Sequence, residues 1–390
     1  MTDLFQASVT KLSRYCESEK FKGYDPYDTL NSFVPFYLLG KMGQMIAIQI
    51  QKRNLVNLRP LLGIKKEHNP KGMGLLLKAY CNLYHSSGEG RCLDIANSIF
   101  EWLKDNYSKG YSGHAWGYNF DWASSEMYLP AFTPSVVVTA FVVDGIFEYY
   151  SITKESKAKE IIISASEYVK RDIPVTEFEN GVAFSYSHIA ADCCYNASLL
   201  AAEILARSDY LNNLSTFQSL IQKAVDFVIS KQHENGGWGY SFNLANGSER
   251  RQTDFHQGFI LVSLNNLNNL GITPKNDINA AVKKGLEYYR INQFTDSGRA
   301  LWRIPQKWPV DIHNQSQGII TFSRLKQFDP EYINFSKLIA KWTLCEMQSG
   351  NGYFYYRKMP LFTNKIPYIR WAQAWMLLAL SELIKNNEAE

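Results

Sequence analysis

The sequence lacks most signals that would place a protein in a familiar functional class. Met1-Thr2-Asp3-Leu4-Phe5 is followed by polar residues, without a basic start or an apolar stretch behind it. No export signal is read there, and a cytoplasmic location is expected. No window reaches the roughly eighteen uninterrupted apolar residues of a membrane span, so no span is expected. Lys and Arg number 41 against 37 Asp and Glu, and no basic block of five or more occurs; nucleic acid is not an expected partner. Six cysteines are scattered at 16, 81, 92, 193, 194 and 345, none in C-x-x-C spacing. They read as free thiols in a reducing compartment.

Phosphate-cradling G-x-x-x-x-G-K-[ST], dinucleotide-binding G-x-G-x-x-G, the G-x-S-x-G elbow and H-E-x-x-H are all missing. Kinase, nicotinamide-linked and zinc-protease chemistry is disfavoured, and neither cofactor nor metal is expected. Period-two alternation is scarce, so strands should be few.

What the chain does have is an ordinary globular balance, 46% hydrophobic and 20% charged, with 24 Tyr, 22 Phe and 9 Trp. It also has a repeat. Apolar segments rich in small residues begin at 69, 134, 192, 254, 313 and 370, a period of about 60 residues. They are apolar nearly all round, which marks buried helices. Asn, Asp and Thr-Pro at their starts are helix N-terminal signals. Amphipathic segments alternate with them at 92–106, 155–171, 216–232, 278–293 and 333–348, and 30–52 precedes the first. The pattern predicts one all-α domain over 1–390, an (α/α)6 toroid of six helix hairpins, with 1–30 as an extension packed on the barrel. An open solenoid is the alternative; repeats this long favour closure.

The loops running from outer to inner helices are long and aromatic, as in Gly113–Trp122, Val182–His188, Gly236–Asn243, Leu301–Pro305 and Gly352–Arg357. All six inner helices then start at one end, where free N–H groups and positive dipole ends converge. Such a mouth suits a polar or anionic ligand.

Asp254-Phe255-His256 and Asp311-Ile312-His313 repeat one Asp-x-His pattern at neighbouring inner-helix starts. His256 and His313 are the candidate acid and base, with Asp254 and Asp311 as their orienters; the competing reading makes Asp254 a helix cap and the histidines packed rings. His188 with Asp192 forms a similar cluster, in which Asp192 reads as a cap. His114 and Asp121 bracket the richest aromatic loop, and Asp121 with Asp192 or Asp254 would supply a carboxylate pair for glycoside hydrolysis. Arg303 and Arg370 are candidate anion clamps; Arg59 is another, or a tether for the N-terminal segment. Tyr118, Tyr186, Tyr240 and Tyr355 are candidates for proton transfer or sugar contact. Trp116, Trp238 and Trp371 complete the expected sugar-binding set.

Three resemblances bear on this reading. Lys223–Trp238, with Gln232, Gly236 and Trp238, resembles the QW repeat of terpenoid cyclases, and Gln348–Tyr353 resembles a weaker copy with Tyr for Trp. That repeat implies a toroid in which an outer helix is tied to the loop after it. The Asp-x-Asp-Asp acid of the cyclases and the zinc set of the prenyltransferases are absent, so their chemistry is not implied. Over nearly the whole chain, Gly23–Asp28, Asn57–Ile64, Asn69–Gly72 and Tyr368–Trp375 resemble the VpsJ-type polysaccharide biosynthesis proteins. This implies a cytoplasmic role alongside polysaccharide machinery and lends no catalytic residues. Chain length and toroid are also similar to sugar 2-epimerases, whose paired histidine motifs do not match here. The expected function is a carbohydrate-active protein acting on a glycan precursor by epimerase, lyase or hydrolase chemistry. Its rivals are a glycan-binding scaffold of a synthase complex and an isoprenoid-binding protein.

Overall fold

The computed structural model describes residues 2–124, 128–274 and 276–388. Six helices form the inner ring: α3 (Pro70–Ser87), α5 (Val136–Thr153), α7 (Tyr195–Asn212), α9 (His256–Asn269), α11 (Ile312–Arg324) and α13 (Trp375–Glu388). Each packs on the next, and α13 packs back on α3, so the ring is closed. Their residues are buried on almost every side, as uniform apolarity requires. By length and composition α5 would also cross a membrane; here it stands between α3 and α7. Glycine allows the closest approach in the ring: a Cβ on Gly74 or Gly145 would lie 2.7 or 2.4 Å from backbone of the facing helix.

Outer helices α4 (Gly90–Asp105), α6 (Ser156–Asp172), α8 (Gln218–Ser230), α10 (Ile278–Gln293) and α12 (Glu331–Met347) alternate with the inner ones. The sixth is α1 (Thr2–Ser18), which packs on α13. Phe5, Val9, Leu12 and Cys16 form its buried stripe, at the spacing of one helical face. This corrects the expectation that 30–52 fills that place and that 1–30 is an extension. Pro35 and Gly40, the latter at φ 61°, interrupt 30–52. What forms there is α2 (Gly40–Arg53), which lies beside the barrel mouth and packs against short 3-10 turns at 28–31 and 36–39 and the strand Trp122–Ala123.

Glutamines lock the outer layer to the loops. Gln232 Nε2 donates to the carbonyls of Gly236 and Ala281, both at 2.9 Å, and Trp238 Nε1 donates to Val228 O at 2.8 Å. Gln348 Nε2 donates to Gly352 O at 3.0 Å and to Ser8 O at 3.4 Å, fastening α1 into the ring. The remaining β structure is a set of two- and four-residue strands in the aromatic loops.

Candidate functional site

A cavity of about 440 Å³ opens at the end of the barrel where the inner helices begin. Every inner helix places a residue from its start there: Lys71, Val137, Asn196, His256, His313 and, from the π-helical turn (Ile369–Ala374) leading into α13, Trp371. The period of the sequence thus becomes a ring of first-turn residues around one space.

On one wall Asp254 Oδ1 accepts from His256 Nδ1 at 2.6 Å and from the His256 backbone N–H at 3.1 Å, while Oδ2 accepts from Gln252 Nε2 at 2.8 Å. Burial alone would raise the Asp254 carboxyl. The His256 imidazole and its hydrogen bonds outweigh burial and hold the carboxyl below its usual range. A carboxylate bound to Nδ1–H fixes the tautomer and leaves Nε2 as the nitrogen available to a ligand.

His313 stands in a different environment. Its ring is stacked on Phe255, centroids 4.2 Å apart and 9° from parallel, with Trp375 at 4.6 Å and Trp371 at 4.7 Å. Neither ring nitrogen has a partner among the described residues. Burial first, then the Lys71, Arg370 and His256 charges, hold its pKa well below the ordinary value, so the imidazole is neutral. Phe255 also lies 4.2 Å from the His256 ring. The two imidazoles therefore flank one phenyl ring and are at most twice that distance apart.

Asp311 does not orient the His313 ring, contrary to the expected role. Its Oδ1 accepts from the His313 backbone N–H at 3.0 Å and from Trp371 Nε1 at 2.8 Å, and Oδ2 accepts from Arg357 Nε at 2.6 Å. It caps α11 and anchors the Trp371 indole. Arg370 likewise does not offer a clamp: Nε and Nη2 donate to the two Asp25 oxygens at 2.6 and 2.7 Å, in a buried pair. Arg59, also buried, binds Asp28 at 2.6 Å and Asp25 O at 2.7 Å, which makes it the tether of the N-terminal segment. Arg303 does reach the cavity, with Nε 3.9 Å from Asp254 Oδ2.

Among the expected sugar contacts, Tyr118, Tyr186, Tyr240, Arg303, Arg370 and Trp371 line the cavity. Tyr240 meets the His256 ring edge to face at 4.7 Å. Burial raises the Tyr118 and Tyr186 hydroxyls. The others are held elsewhere. Trp116 and Trp238 are buried, each donating its indole N–H to an outer-helix carbonyl. His114 pairs with Ser164 at 2.9 Å, and His188 packs its ring against Tyr111. Asp192 accepts from Tyr186 N at 3.1 Å. Asp121 accepts from Tyr128 Oη at 2.6 Å and Ala131 N at 2.7 Å. Tyr355 stands against Tyr353. Among the described residues Asp254 is then the one carboxylate on the cavity wall, and the proposed carboxylate pair does not assemble there.

Two cavity lysines carried no weight in the sequence as chemistry. Lys71 is buried, with Nζ 4.3 Å from the Phe141 centroid and 5.4 Å from that of Trp375. Burial and then the Arg370 charge lower its pKa well below that of an ordinary lysine. Lys52, from α2, is hydrogen-bonded to Tyr27 Oη, and burial followed by the Arg357 charge depresses it too. The signal available was position: Tyr27 and Lys71 fall within two of the segments that carry the VpsJ-type resemblance. Tyr27, Phe120, Trp122, Phe255, Phe259 and Trp302 add to the aromatic lining.

No family model matches the sequence, and no curated protein matches it. Solved structures do match the fold. A cellobiose 2-epimerase from Bacillus thermoamylovorans B4167 superposes with a TM-score of 0.63 at 14% identity, covering 84% of this chain and 90% of that one. An unsaturated glucuronyl hydrolase specific for heparin gives 0.62 at 11%, covering 99% and 97%. A GH76 α-mannanase from Bacteroides thetaiotaomicron gives 0.61 at 13%, covering 82% and 87%. The fold is the (α/α)6 toroid of such enzymes.

Proposed function

We propose that this protein is a carbohydrate-modifying enzyme that moves a proton at a carbon of a sugar held in the barrel mouth. The observation that carries the reading is the pair of unlike imidazoles flanking Phe255. His256 is oriented by Asp254 through Nδ1; His313 is neutral and, among the described residues, without a hydrogen-bond partner in an aromatic box. A base and an acid of different environment on one small cavity is the arrangement that epimerisation or β-elimination uses. Hydrolysis by two carboxylates receives less support, since Asp254 stands alone on the wall among the described residues. The cavity wall also carries the guanidiniums of Arg53, Arg250 and Arg303, which stay charged at any physiological pH. An anionic sugar, a uronate or a phosphate-linked precursor, is the substrate class that this charge favours. The toroidal neighbours, an epimerase and a glucuronyl hydrolase among them, make sugar a consistent choice of ligand. The VpsJ-type resemblance supports polysaccharide production in the cytoplasm as the setting.

The test is a thermal-shift screen of the purified protein against uronic acids, amino sugars, their nucleotide-linked forms and isoprenyl phosphates, followed by turnover assays with whatever binds. Stabilisation by an anionic sugar, with turnover lost in His256→Ala and His313→Ala, is the expected result. Binding without turnover in the wild type, unchanged in both variants, would instead favour a glycan-binding scaffold.

A further inference from the structure

Helix α2 is amphipathic in the wrong sense for a helix of a water-exposed barrel. Its buried residues include Gln44, Gln51 and Lys52, whereas Met42, Ile46 and Ile50 point outward, at exposures of 66%, 51% and 64%. The turn before it continues the outward apolar face with Tyr37 and Leu38, each 72% exposed. Phe33 and Leu61 extend it, joined because Phe33 N donates to Leu62 O at 3.2 Å. The hairpin tip at Leu361 and Phe362 lies alongside, fixed by Asn364 Nδ2 donating to Asn54 O at 3.0 Å. So many exposed apolar side chains on linked segments are uncommon on a protein that faces only water, and mark an interaction site.

Charge identifies what covers it. From Thr29 to Lys66 the sequence has no Asp or Glu, and none occurs between Phe354 and Ser381. Within the same stretches Lys41, Arg53, Lys65 and Lys365 are exposed at the edge of the apolar face. The whole chain has 37 acidic residues, so their exclusion from both segments of one surface is a local property. Apolar side chains carried by two segments that have basic and no acidic residues match a bilayer interface with anionic head groups. A second copy of this chain would set the same cations against each other, which opposes self-association.

We propose that the face formed by the 33–61 segment and the 361–362 tip seats this protein on an anionic lipid surface, with α2 lying in the interfacial plane. The flank of α2 next to this face supplies Met45, Gln49, Lys52 and Arg53 to the cavity. The helix therefore borders both the lipid-facing surface and the site, and the cavity mouth opens beside the membrane. Docking on this face is independent of the chemistry proposed for the histidines.

The experiment is flotation of the full chain with phosphatidylcholine vesicles and with vesicles containing phosphatidylglycerol. It is repeated with Met42→Ser/Ile46→Ser/Ile50→Ser and with Lys41→Glu/Lys65→Glu/Lys365→Glu. All six positions are exposed, and an unchanged melting temperature verifies the fold of each variant. The wild type should float with the anionic vesicles, at least about tenfold more weakly with neutral ones and with either variant, and high salt should release it. Absence of flotation with anionic vesicles would overturn the proposal. So would flotation that both folded variants retain, or a wild-type dimer in light scattering that the serine variant turns into a monomer without any vesicle binding.

Discussion

His256 and His313 are the same residue type at corresponding helix starts, and their neighbours make them different reagents. Asp254 turns His256 into an imidazole oriented through Nδ1, with Nε2 left over; Phe255, Trp371 and Trp375 surround His313 as a neutral ring without a hydrogen-bond partner among the described residues. Asp254→Asn should keep the fold while lowering turnover by about 10²- to 10⁴-fold, measured as kcat on the anionic sugar identified by the screen. The buried neutral His313 also makes a stability prediction. An unfolded chain protonates this imidazole as pH falls below 6.5, whereas the folded protein keeps it neutral to well below that value. The unfolded state then binds more protons, so stability falls as pH falls. Between the folded pKa and 6.5 the contribution is about 1.4 kcal/mol per pH unit. Urea unfolding of wild type and His313→Gln at pH 7.5 and 5.5 should show the wild type losing more stability, by about that amount. Equal losses would contradict a buried neutral imidazole.

At the level of elements, helix periodicity made the inner ring legible, because apolarity on all sides and a regular spacing are properties of sequence alone. The outer layer was equally legible from α4 to α12, and failed at the first turn of the ring. There the amphipathic pattern of 30–52 predicts an outer helix with its apolar face inward, whereas Met42, Ile46 and Ile50 point outward; periodicity reports that a face exists, not which way it turns. The buried stripe of α1 was present in Phe5, Val9, Leu12 and Cys16, in a segment set aside as an extension. At the mouth, Asp-x-His and the aromatic loops point to the end of the barrel at which the cavity opens. Proximity to that end did not decide which rings enter the cavity: Trp116 and Trp238 use their indole N–H groups to close the outer layer. Lys71 is not legible in the sequence as a cavity residue because a lysine in a helix's first turn is ordinarily solvated; only the closed ring places it beside Phe141 and Trp375. The α3–α5 crossing supplies the prediction at this scale. Gly145→Val should destabilise by about 1–3 kcal/mol or more, read as a lower urea midpoint, because its Cβ would lie 2.4 Å from Gly74 O.

The molecule as a whole brings distant sequence together by closing. Asp25 pairs with Arg370, Ser8 with Gln348, and α13 with both α1 and α3; chain start and chain end thus meet at the seam of the ring. Asp25→Ala would leave the Arg370 guanidinium buried without its partner, and loss of one member of a buried pair costs about 3–5 kcal/mol. Its melting temperature should fall well below that of the wild type, and the aromatic lining around Tyr118 and Trp371 should loosen, seen as a change in near-ultraviolet circular dichroism. The ring also explains how six short helix starts, each with little chemistry of its own, define one enclosed and cationic space. The most direct measurement is incubation of the protein in D2O with the anionic sugars that stabilise it, following deuterium at each sugar carbon by NMR. Incorporation at one carbon, abolished by His256→Ala and by His313→Ala, is the predicted result. Bound sugar that gains no deuterium and forms no product would contradict proton transfer at the barrel mouth.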